Sequence, residues 1–145
     1  MVRIKANYKL TGWNANQLKL RVATILTAYS SVLDQQLKEE IKLPQFPWPN
    51  ETKRRNGTIA GTMRNIVDTG AFIGSQRRER PSATEIKFTW GGADGVDYAG
   101  RILSGKGARW GKDGPPRDWI KLALDKQPLE QFFAKEWQRL SRMGL

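Results

Sequence analysis

The chain has 145 residues, 39% of them hydrophobic, with 25 Lys and Arg against 14 Asp and Glu for a net charge of +11. It contains no cysteine and no histidine. That excludes disulfides, Cys- or His-ligated zinc sites and every catalytic arrangement built on a thiolate or an imidazole base. Any catalysis must run on carboxylates, Lys, Ser or Tyr, and the positive balance favours acidic partners such as nucleic acid, an anionic membrane or an acidic protein surface. The length fits one domain, and six Trp, five Phe and three Tyr supply material for a core. No apolar run approaches the ~20 residues that span a bilayer, and no charged-then-apolar segment opens the chain, so a soluble protein is expected.

The first ten residues alternate, Val2, Ile4, Ala6, Tyr8 and Leu10 against Arg3, Lys5, Asn7 and Lys9. Period two predicts a strand with one buried and one basic face. Thr11-Gly12 breaks it, and Asn14 or Asn16 can cap a helix beginning there. Between Leu18 and Lys42 the period changes: Leu18, Val22, Ile25, Tyr29, Val32 or Leu33, Leu37 and Ile41 make one apolar stripe. The spacing predicts an amphipathic helix of about 25 residues, on the order of 37 Å long. Pro44, Pro47 and Pro49 then forbid helix, and the polar stretch 44–65, with Lys53, Arg54 and Arg55, reads as a long surface loop.

Asp68-Thr69-Gly70 is a turn or helix-start signal. Arg77–Arg80 and Glu85–Trp90 read as two strands joined by residues 81–84, the second with Ile86, Phe88 and Trp90 inward and Glu85, Lys87 and Thr89 outward. Asp97–Leu103 reads as one or two helical turns. Residues 104–114 come next as a basic, glycine-rich loop carrying Lys106, Arg109, Trp110 and Lys112. The chain closes in helix, Trp119, Ile120, Ala123 and Leu124 sharing a face, and Pro128 sits in the first turn of a second piece bearing Leu129, Phe132, Phe133, Trp137 and Leu140. The order is α+β in a single domain: a short N-terminal strand, a long amphipathic helix, a small antiparallel sheet and C-terminal helices.

Two chemistries compete for the charged residues. Glu85 and Lys87 share a strand face with Asp68 upstream, as in Mg²⁺-dependent nucleases where acids hold the metal and a lysine positions the attacking water. The plainer reading of the same face is a cross-strand ion pair. The second chemistry is nonspecific DNA binding by basic clusters, with Trp110 stacking on a base or sugar. No helix-turn-helix, zinc-finger or RNA-recognition pattern accompanies them, which argues against sequence-specific reading of bases.

Four features in order carry a resemblance: the strand and long helix over 2–42; Asp68-Thr69-Gly70 running to Ser75; Tyr98-Ala99-Gly100-Arg101 running to Gly105; and Pro116-Arg117-Asp118-Trp119 entering the last helices. The set resembles the head–tail joining, or neck, proteins of tailed phages, often called tail-completion proteins. The chain departs from that pattern in Phe72 for a leucine, in Arg101 for an acid and in the length of segment 44–65. The resemblance implies a non-enzymatic virion subunit that forms an oligomeric ring between portal or adaptor and tail and lets DNA pass. It implies no cofactor, metal or small-molecule substrate. Trp48, Lys53, Arg54, Arg55, Arg101, Lys106, Arg109, Trp110, Lys112 and Arg117 are the expected subunit or partner contacts. Asp68, Thr69, Gly70, Ser75, Tyr98, Pro116 and Trp119 are the expected structural motif.

Overall fold

The computed structural model describes residues 2–5, 15–49, 51–53, 57–64, 66, 70–91, 99–105 and 114–144. The architecture is α+β, as the order of patterns predicts. It contains a short strand β1 (Val2–Lys5), a long helix α1 (Ala15–Lys42), a β-hairpin of β6 (Arg77–Ser82) and β7 (Glu85–Thr89), and helices α4 (Trp119–Lys126) and α5 (Leu129–Arg142). Four two-residue strands, β2 (Phe46–Pro47), β3 (Thr52–Lys53), β4 (Ile59–Ala60) and β5 (Met63–Arg64), come after α1. Two short helices, α2 (Ala71–Gly74) and α3 (Ala99–Ser104), flank the hairpin in sequence. The chain divides into two compact units, Met1–Gln36 with Arg77–Thr89 and Ala123–Leu145, and Leu37–Gln76 with Trp90–Leu122.

The first unit is built on the apolar stripe of α1. Leu18, Val22, Ile25, Leu26, Tyr29 and Leu33 are all buried, and each such side chain contributes about 1.5–3 kcal/mol relative to its exposed state. The helix starts three residues before Leu18, so Asn16 lies inside its first turn and does not cap it. The antiparallel sheet runs β1-β7-β6, with Val2 opposite Phe88, Ile4 opposite Ile86, Arg78 opposite Phe88 and Glu79 opposite Lys87. Ile86 and Phe88 are fully buried, which fixes the register: a slip by one residue would turn Glu85 and Lys87 into the core. Pro81, which has no N–H to give a ladder, sits at the irregularity of β6, an edge strand.

Helix α5, with Gln127 two residues before it, lies antiparallel to α1, as three pairs show in opposite order along the two stretches. The Arg21 guanidinium stacks on Trp137 at 4.6 Å and donates to Ser141 Oγ at 3.0 Å. The Tyr29 ring meets Phe132 at 5.3 Å. Gln127 donates from Nε2 to Gln36 Oε1 at 3.3 Å. The Tyr29 hydroxyl donates to the Gln127 carbonyl at 2.7 Å, and burial pushes its phenol up to about 12. Pro128 stands one place before the first turn of α5, as its N-cap residue.

The second unit corrects two expectations. Segment 44–65 is not a plain polar loop: β2 pairs with β5 and β3 with β4, both antiparallel, so the chain climbs and returns as a nested hairpin. The Trp48 N–H donates to the Thr62 carbonyl at 2.7 Å, and the Ile66 N–H donates to the Ile41 carbonyl at the end of α1 at 2.9 Å. Phe46 and Trp48 are buried, so the apolar residues among the prolines anchor the base of the hairpin. Trp90 does not extend the inward row of β7. It packs with Trp119 in the second unit, at 5.3 Å and nearly perpendicular.

Candidate interaction surfaces and the motif core

Gly70 opens α2 with φ of 82°, a left-handed conformation that glycine adopts without a Cβ penalty. This places Phe72 inward, edge-on to Trp119 at 5.3 Å, and Trp119 also receives Trp90. Ser75 closes the short helix in two ways. Its hydroxyl donates to the Phe72 carbonyl at 2.6 Å and accepts the Gly91 N–H at 3.0 Å. Gln76, buried beside it, accepts the Trp90 indole N–H at 2.9 Å. Asp118 Oδ1 accepts the Lys121 N–H at 2.9 Å and so caps α4. The Arg117 N–H donates to the Ile102 carbonyl of α3 at 2.9 Å.

The motif residues within the described part of the chain therefore converge. Gly70, Ser75 and Trp119 surround one aromatic cluster, and Pro116 leads from α3 into α4. Asp68, Thr69 and Tyr98 lie outside the described residues.

A second feature sits at the foot of the glycine-rich segment. Gly105, with φ of 75°, ends α3, and its carbonyl accepts the Gly114 N–H at 2.7 Å. A Cβ on Gly105 would stand 2.1 Å from the Gly114 oxygen and 2.9 Å from the Pro116 nitrogen. The described residues on either side of segment 106–113 are thus joined by one backbone clasp, and Lys106, Arg109, Trp110 and Lys112 lie outside the described residues.

Of the expected contacts, Lys53 and Arg101 are exposed, and Arg54 and Arg55 lie outside the described residues. Trp48 is the correction: it is buried within its own unit and not presented on a projecting loop. Arg64 and Arg117 both hold their guanidinium groups over its ring, at 4.6 and 5.1 Å. Arg117 is accordingly half-buried against an aromatic face, where cation–π attraction adds to packing. Nothing in the spacing of Trp48, Arg64 and Arg117 announces this stack, because it needs the nested hairpin to bring the three together.

The carboxylate–lysine set takes the form of a paired strand face. Glu85 lies 3.6 Å from Arg3 and 4.0 Å from Lys5 across the β1–β7 pair, and Lys87 lies 3.7 Å from Glu79 across the hairpin. Glu85 and Lys87 do share a face, as alternation requires, yet each is engaged by an opposite charge on the neighbouring strand. Among the described residues no group of three or more acids is placed to hold a metal ion.

The basic run Arg77-Arg78-Glu79-Arg80 is visible in the sequence, but the reach of two of its arginines across to α1 is not. Arg78 Nη1 donates to Ser31 Oγ at 3.0 Å, and Arg80 Nη1 donates to Thr27 Oγ1 at 2.6 Å. Arg80 also donates to the carbonyls of Ala83 at 3.0 Å and Glu85 at 3.2 Å, and burial lowers its pKa below the usual guanidinium value. Among the described residues no helix is long and apolar enough to cross a membrane. Comparison with known proteins finds no matching family model, no similar curated protein and no similar solved structure.

Proposed function

We propose that the chain is a structural subunit of a phage neck, which assembles into a ring joining portal or adaptor to tail and leaves a passage for DNA. One observation carries the reading: described residues of the motifs at 68–75 and 116–119 meet where Phe72 and Trp90 pack edge-on to Trp119, and the motif at 98–105 is tied to 116–119 by the Arg117 N–H bond to the Ile102 carbonyl. A ring also needs two unlike patches on each subunit, because its contacts run head to tail. Leu20 on α1 is 70% exposed, and Ile59 and Met63 on the nested hairpin are 69% and 53% exposed, so apolar groups suited to such contacts stand on different elements.

Sedimentation velocity over a wide concentration range, with electron microscopy of the purified protein alone and mixed with portal and tail-tube proteins, tests the proposal. Concentration-dependent oligomers or incorporation into a portal–tail assembly is expected. A strictly monomeric protein, together with joined and infectious particles from a phage lacking the gene, would overturn it.

A further inference from the structure

The positive charge is concentrated in the first unit. That unit, Met1–Gln36, Arg77–Thr89 and Ala123–Leu145, holds 13 of the 25 basic residues and 6 of the 14 acids, a balance of 13 − 6 = +7 out of +11. No Asp or Glu precedes Asp34 in the sequence. Within the unit Glu85 is engaged by Arg3 and Lys5, Glu79 by Lys87 and Glu136 by Arg139. Arg78 and Arg80 make no ion pair among the described residues; both lie along the seam between β6 and α1 and rest on hydroxyls.

We propose that this seam binds the phosphate backbone of nucleic acid through Arg78 and Arg80. A guanidinium has five N–H donors in a planar fork. Arg78 spends one, on Ser31, and Arg80 spends three, on Thr27, Ala83 and Glu85. The remaining donors are held in place by bonds that consume no charge, so little side-chain freedom is left to lose on binding a phosphate. Arginines two apart on a strand stand roughly 7 Å from each other, so one extended polyanion can engage both.

The helix side of the seam suits the same ligand. Its exposed positions are Thr24, Thr27, Ala28 and Ser31, none acidic and none a large apolar group. The Thr24 and Thr27 hydroxyls donate back to Leu20 and Ala23 on their own helix, whereas Ser31 accepts from Arg78 and its own proton can go to a phosphate oxygen. A lipid surface would require several large apolar residues to insert; the exposed positions from Thr24 to Ser31 offer none, and Leu20, one turn before Thr24, is a lone exposed apolar side chain beside them. The nearest acids on the seam's elements and beside them are Asp34, about one turn beyond Ser31 on α1, Glu79, which pairs with Lys87 on the opposite face of the sheet, and Glu85, whose carbonyl accepts from Arg80 while its carboxylate is engaged by Arg3 and Lys5. The inference does not depend on the neck reading.

The experiment is fluorescence anisotropy of the full-length protein with a labelled mixed-sequence DNA duplex, titrated between about 50 and 200 mM salt. Each phosphate contact contributes about −0.9 to the slope of log K against log salt. Arg78→Ala/Arg80→Ala is expected to shrink the slope by about 1.8 and to weaken low-salt binding on the order of tenfold or more. Lys135→Ala/Arg142→Ala, which removes the same charge from exposed positions on α5, is expected to change the slope far less. Arg78→Lys/Arg80→Lys, which keeps the charge but not the fork, should recover most of the slope and only part of the affinity. An unchanged slope in the alanine pair, equal losses in the α5 control, or competition by polyglutamate as effective as by DNA at equal charge would each overturn the proposal. The last result would point to an acidic protein instead.

Discussion

Gly105→Ala is the sharpest test of the clasp at the foot of segment 106–113. Two costs act at this position. The left-handed φ of 75° costs an alanine about 1–2 kcal/mol. The new Cβ would also lie 2.1 Å from the Gly114 oxygen, with the Pro116 nitrogen and Pro115 carbonyl carbon at 2.9 and 3.0 Å. All three are backbone atoms, so no side chain can swing away and the clasp must open. Opening it loses the Gly114 N–H to Gly105 bond, about 1 kcal/mol, and moves the residues leading into α4. Gly70→Ala is the matched control, since Gly70 has φ of 82° but open space around a built Cβ. There the strain is partly offset by the lower entropy of the unfolded alanine chain, about 0.4–1 kcal/mol, leaving a net cost of about 1 kcal/mol. Urea unfolding monitored by tryptophan fluorescence should place Gly105→Ala about 2 kcal/mol below Gly70→Ala. That difference corresponds to midpoints roughly 1 M apart for a typical small-protein slope. Equal midpoints for the two variants would refute the close approach at Gly105.

Three further outcomes are expected. Asp118→Ala should cost about 1 kcal/mol in urea unfolding by uncapping α4, and Asp118→Asn should restore most of it. For Tyr29, whose folded pKa of about 12 lies above its ordinary value, the unfolded chain releases the phenolic proton first as pH rises. Its contribution to stability is therefore complete below pH ~10 and is lost progressively towards pH ~12, and Tyr29→Phe should remove that alkaline decline while costing about 1 kcal/mol at neutral pH. If the neck proposal holds, Ile59→Asp/Met63→Asp should lower oligomer formation in sedimentation while leaving the unfolding midpoint nearly unchanged, because both side chains are exposed.

The sequence carried the elements whose periods are long and clean. The stripe from Leu18 to Ile41 and the alternation of Ile86 and Phe88 are each one signal repeated several times, and both lie where the patterns place them. The nested hairpin of 46–64 escaped because its strands are two residues long, too short for any period, and because prolines on both sides of Trp48 read as loop. Its burial depends on partners distant in sequence, Arg117 above all. The motif residues were legible one by one, but their convergence on Trp119 was not, since no spacing in the chain relates Phe72 to Trp90 or to Trp119.

The arginines of β6 are a different case, because part of their placement was written in the strand itself. Arg77, Arg78, Glu79 and Arg80 put charge on both sides of a pleat, and a strand covered on both flanks cannot bear that. Such a run belongs at an edge, and the order β1-β7-β6 puts it there. An edge strand opposite a helix leaves its core-side arginines one route, along the seam to the first polar groups on that helix. Those groups are Thr27 and Ser31, one turn apart on α1, and their exposure is set by the same periodicity that buries Ile25, Tyr29 and Leu33. A carboxylate at either position would have formed an ordinary ion pair and neutralised the seam. With hydroxyls there, the guanidinium groups are held in place without being neutralised, and an external anion can still be bound.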